Sequence, residues 1–80
     1  MVSLNRQHLD ARRLLCPMPV IRTQDKAKLM QAGDQLEVLC TDPGALYDIP
    51  AWCRINGHKV LSTAQAQGEI RIVIELGPLS

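Results

Sequence analysis

Eighty residues with a net charge of +1 make one small, nearly neutral domain, so no nucleic acid or anionic membrane is expected as a direct partner. The 46% hydrophobic content argues against disorder, and one Trp, one Tyr and no Phe require an aliphatic core with few rings to stack on bases. Three cysteines without a C-x-x-C pair, and no apolar run of transmembrane length, point to a reduced, cytoplasmic protein without disulfide frame, structural metal or cofactor.

The opening segment, through Arg13, carries charge throughout and lacks the apolar run of a signal peptide. A short strand is expected over residues 8–12. Cys16-Pro17-Met18-Pro19 follows at once, and proline is favoured at the first helical position, where its missing N–H would be unpaired anyway. A helix should run from there to about residue 31. Val20, Thr23, Gln24, Ala27 and Met30 mark one face, while Arg22, Asp25, Lys26 and Lys28 sit largely elsewhere. Gly33 is a stop signal.

Residues 35–41 alternate, Leu36, Val38 and Cys40 facing one way and Gln35, Glu37 and Leu39 the other, as a half-buried strand does. Thr41-Asp42-Pro43-Gly44 is a turn. A second helix should reach about residue 56, with Ala45, Ile49, Trp52 and Ile55 on one side. Pro50 is awkward inside it, so either the regular helix begins near Asp48 as a cap or its early part is irregular. Two last strands, over residues 58–64 and 69–76, are joined by a turn near Gln67-Gly68. With both crossovers right-handed, this order gives an α/β fold. It is a two-layer βαβαββ sandwich, a four-stranded mixed sheet with two helices on one face, and its core spans about residues 8–76. The other sheet face should be partly open, with Leu39 and Val73 on it.

Cys16 is the candidate for chemistry. Helix N-termini present unpaired N–H groups and partial positive charge, which favour an anionic sulfur and lower a thiol pKa. Pro17 and Pro19 stiffen the first turn, and Arg12 and Arg13 would add positive potential. A buried cysteine under the helix end is an equally good reading of the same residues. Cys40, in phase with Leu36 and Val38, reads as core, and packing is favoured for Cys53 beside Trp52. Asp10 either orients the loop before the helix or is a solvated turn residue, and Asp42 and Asp48 read as turn and cap residues. Arg22, Lys26 and Lys28 form a solvated face, or a docking surface for an acidic partner near the helix start. His8 and His58 make no Cys–His dyad with Cys16, so independent hydrolytic catalysis is not expected.

Leu9-Asp10, Leu14 and Cys16-Pro17-x-Pro19-Val20, followed by Thr41-Asp42-Pro43 and Asp48-Ile49-Pro50-Ala51-Trp52-Cys53, resemble the two signature stretches of the TusA/SirA-type sulfur carriers. The resemblance covers about residues 9–76. It implies a βαβαββ fold similar to the C-terminal domain of translation initiation factor three. It also implies that Cys16 accepts sulfane sulfur as a persulfide from a sulfur-donor protein, a cysteine desulfurase or rhodanese-like protein. An acceptor protein thiol then receives it, in tRNA thiolation, cofactor maturation or sulfur oxidation. Such a protein is a sulfurtransferase that acts as a carrier rather than a stand-alone catalyst, and a monomer is expected, since the sulfur must be exposed. Two positions depart from the pattern: Arg13 stands where the motif has glycine, and Met18 where tRNA-thiolation members carry Glu. The first bears on the local turn; the second makes another relay as fitting as the tRNA one. The other readings are a protein- or RNA-binding module and a redox switch between Cys16 and Cys53.

Overall fold

Alternation of apolar residues lays down the sheet. The computed structural model describes residues 6–78, so part of the charged opening segment read as leaderless lies outside the described residues. The elements are β1 (Arg6–Ala11), α1 (Met18–Ala27), β2 (Gln35–Cys40), α2 (Ala45–Asn56), β3 (Lys59–Ala66) and β4 (Glu69–Glu75). They form a four-stranded sheet of order β1-β2-β4-β3, with β1 parallel to β2 and the other pairs antiparallel. This is the expected mixed two-layer arrangement.

The core lies between sheet and helices. Leu36, Val38 and Cys40 of β2 and Ile70, Ile72 and Ile74 of β4 pack with Ala27, Met30, Ala45, Ile49 and Cys53 in one buried cluster. No aromatic side chain belongs to its buried part, as the composition requires. On the opposite face, Leu39 is half-buried, and Val73 is buried although it points away from the helices. Val73 sits in register beside Glu37, whose carboxylate meets His8 Nδ1 at 2.7 Å and Arg71 Nε at 3.2 Å. Charged side chains thus lie across that face. No helix among the described residues is long and apolar enough to cross a membrane.

Several boundaries differ from the sequence reading. The first helix ends at Ala27, not near residue 31, because Leu29 and Met30 donate to Lys26 O and Ala27 O in tightened turns. Gln24, expected on the buried face, is exposed beside the buried Thr23. Pro17 is the N-cap rather than the first helical residue; Met18 N bonds Leu15 O at 2.9 Å, closing a turn before the helix begins. The second helix runs from Ala45 straight through Pro50. Its first turn is loose, with Gly44 O accepting from both Tyr47 and Asp48, and Pro50 removes a single bond from the ladder. Ile55 is 82% exposed, so the inward stripe is Ala45, Ile49 and Cys53.

At two turns, residues other than glycine adopt left-handed backbone. Gln67 and Gly68, at φ 53° and 78°, make the tight β3–β4 hairpin. Arg13 adopts φ 66°, which explains why a glycine suits this position. A left-handed residue with a Cβ costs roughly 1–2 kcal/mol, partly offset by the greater unfolded-state entropy of glycine. Arg13→Gly is therefore expected to raise stability by about 0.5–1 kcal/mol. A thermal melt checks this: an unchanged or lower midpoint would mean the arginine makes contacts worth more than the strain.

Candidate functional site

The parallel register of β1 with β2 sets the geometry. Ala11 pairs with Cys40, so the residues leaving β1 run beside those leaving β2. Arg13 N donates to Thr41 Oγ1 at 2.9 Å, and Cys16 N donates to Asp42 Oδ2 at 2.7 Å. The other oxygen of Asp42 accepts from Gly44 N at 3.1 Å. One carboxylate thus ties the Cys16 loop to the start of α2. Those N–H donors, from Cys16 first and Gly44 second, together with the Cys16 thiol, hold the Asp42 carboxyl below its ordinary range.

The sulfur itself lies against the N-cap of α2. A side chain at Gly44 would place its Cβ 3.1 Å from Cys16 Sγ, so the missing side chain makes room for the sulfur. Cys16 is half-buried, whereas Cys40 and Cys53 are buried in the core. All three are free thiols.

The expected lowering of the Cys16 pKa is overturned. The thiol is pushed up to about 12, by burial first, then by hydrogen bonds to Asp48 and Asp42, and then by their charges. The magnitudes explain the sign. Burial disfavours the charged sulfur first, and the two carboxylates add to it against a helix N-terminus equivalent to roughly half a positive charge. The expected help from Arg12 is diverted: its guanidinium binds Asp10 at 2.9 Å and Glu69 at 3.1 Å.

Asp10 sits at the end of β1, where its carboxylate accepts from the backbone and side chain of Arg12. The Arg12 guanidinium, with the Arg12 N–H, holds its carboxyl down to about 2. Asp10 is thus an exposed residue whose carboxylate holds Arg12. Pro19 is buried at the second helical position, and Pro17 is exposed. Arg22 lies one turn into α1. Lys26 and Lys28 lie at the far end of that helix, about 12–15 Å along its axis from its first residue, Met18, at 1.5 Å per residue. They do not gather near the sulfur. The residues missed by sequence reasoning are Gly44 and the carboxylates as sulfur neighbours. The Asp42-Pro43-Gly44 turn was visible; the register that brings it to Cys16 was not.

Residues 7–76 match the family model described as sulfurtransferase TusA. The chain belongs to this family. YrkF of Bacillus subtilis is 45% identical over 62 residues, which are 78% of this chain and 33% of that longer protein. The sulfur carrier protein TusA of Allochromatium vinosum is 32% identical over 69 residues, 86% of this chain and 91% of the relative. Among solved structures, a SirA-like protein from Desulfitobacterium hafniense superposes with a TM-score of 0.77 at 26% identity, over 89% of this chain and 97% of the other. The chain thus spans a third of YrkF and nearly the whole of the Allochromatium and Desulfitobacterium proteins.

Proposed function

We propose that this protein is a sulfur carrier that holds sulfane sulfur as a persulfide on Cys16 and delivers it to a partner thiol. One observation carries the reading: in a chain of the TusA family, Cys16 is the cysteine that is not buried, and its sulfur lies where Gly44, at the start of α2, has no side chain. The name of the Allochromatium relative, a sulfur carrier protein, supports it.

In loading, the Cys16 sulfur attacks the outer sulfur of a donor protein's persulfide. The new Sγ–S bond forms as the donor's S–S bond breaks, and the donor sulfur keeps the electron pair. It takes up a proton as Cys16 loses one, so a persulfide and a thiol become a thiol and a persulfide. Delivery is the same exchange with the roles reversed. The donor is a cysteine desulfurase or rhodanese-like protein and the acceptor another protein thiol, met in the cytoplasm by a monomeric carrier. Leu15, next to Cys16 in sequence, and Tyr47, next to Asp48 in the first turn of α2, are 75% and 77% exposed and supply apolar surface for those contacts, with Arg22 as the nearest α1 cation in sequence.

The test is intact-mass spectrometry after incubation with a cysteine desulfurase and cysteine, or with polysulfide, followed by peptide mapping. The expected product carries one extra sulfur atom on Cys16, removed by reductant. No adduct with any of several donors would overturn the carrier reading.

A further inference from the structure

The neighbours of the Cys16 sulfur have unequal parts. Asp42 is already engaged: its two oxygens accept the backbone N–H groups of Cys16 and Gly44. Asp48 reaches the sulfur differently. Its own N–H bonds Gly44 O at 3.0 Å, one helical turn along α2 from the residue that Sγ rests against. Residues four apart share one helix face, and the later side chain leans back toward the helix start. The Asp48 carboxylate is therefore carried over Gly44 toward Sγ, and it helps to push the Cys16 thiol up.

We propose that Asp48 is a latch on the carrier thiol: its carboxylate holds the S–H of unloaded Cys16 and keeps it unreactive until a docking sulfur donor draws Asp48 away. The proposal rests on the carrier reading and adds to it a control of the same sulfur. The charged groups that act on Sγ are Asp42 from the β2–α2 turn and Asp48 from α2; Arg12 is held by Asp10 and Glu69. Only thiolate is a competent nucleophile, so a thiol held in its protonated form resists stray oxidants and electrophiles. When the latch opens, the thiol proton passes to solvent and the sulfur is free to attack. The loaded form no longer carries a proton on Sγ, so this hydrogen bond cannot re-form there. The latch thus distinguishes empty from loaded carrier.

An acidic residue in the first turn of a helix is also favourable on its own account, through the helix dipole, and that role would leave the sulfur untouched. The test therefore reads the sulfur. Iodoacetamide alkylation of Cys16 is followed by mass spectrometry against pH in wild type, Asp48→Asn and Asp48→Ala, with circular dichroism confirming the fold. The expected result is a pH–rate profile moved down by at least about one unit in both variants, with alkylation at pH 7.4 faster by about tenfold or more. An unchanged profile, or slower alkylation at pH 7.4, overturns the latch. The measurement uses no sulfur donor. A wild-type protein that fails to gain sulfur by intact mass overturns the carrier reading instead and leaves the alkylation result legible.

Discussion

Cys16→Ser is expected to abolish sulfur loading outright while leaving the fold in place. Serine keeps the size and shape of cysteine and can still donate to Asp48, so the loop and the start of α2 keep their contacts. Stability should stay within about 0.5 kcal/mol of wild type, as for a replacement outside the core. The other thiols do not substitute. Cys40 and Cys53 are enclosed by the aliphatic cluster, and burial pushes both up to about 11. They are thus closed to a donor protein. Intact mass after excess donor, with a thermal melt of the same sample, checks both halves. A variant that still gains sulfur would move the chemistry to one of the buried thiols and refute the assignment to Cys16.

Ile49→Ala is expected to be the most damaging change outside the site. Ala45, Ile49 and Cys53 form the buried stripe of α2, four residues apart, and Ile49 is fully enclosed between helix and sheet. Truncating it removes transfer energy and leaves a cavity, about 3 kcal/mol together. A domain of this length holds roughly 4–12 kcal/mol in all, so the melting midpoint should fall by about 10–20 °C. The same helix carries Gly44 and Asp48, so a loosened α2 should also expose Cys16 to alkylation. Ile55→Ala is the control. Ile55 is 82% exposed and its loss should cost no more than about 0.5 kcal/mol. Equal damage from the two variants would show that α2 is rotated about its axis relative to this packing.

The contrast between those isoleucines shows where sequence reasoning held and where it failed. Strand periodicity has only two phases, so Leu36, Val38 and Cys40, and Ile70, Ile72 and Ile74, could be placed on the core face from their alternation. Helical phase is finer. Ala45, Ile49, Trp52 and Ile55 fit one apolar side, and only packing decided that the stripe turns inward at Cys53 instead of Ile55. The candidate cysteine stood out in the sequence by its Cys16-Pro17-x-Pro19 setting. Its electrostatics did not, because local reasoning saw the α1 terminus and two nearby arginines. The charges that govern the sulfur arrive from 26 and 32 positions later in the chain, at Asp42 and Asp48, through the Ala11–Cys40 register. Arg13 had its signal in plain view: a residue where glycine belongs implied a strained turn, and φ 66° is that strain.

The aliphatic core has an optical consequence. Trp52 is the chain's single tryptophan, and its ring centroid lies 4.7 Å from that of His58, tilted by 36°. One indole means one emission band, and its source is the second half of α2 where that helix meets the start of the last hairpin. His58 accepts the Gly77 N–H through Nδ1 at 3.0 Å, and burial keeps the ring below its usual pKa, so the indole's neighbour at neutral pH is an uncharged imidazole. An imidazolium quenches indole fluorescence far more strongly than the neutral ring does. The molecule therefore carries its own unlabelled reporter, placed on the helix that supports the sulfur and sensitive to whether that helix stays seated.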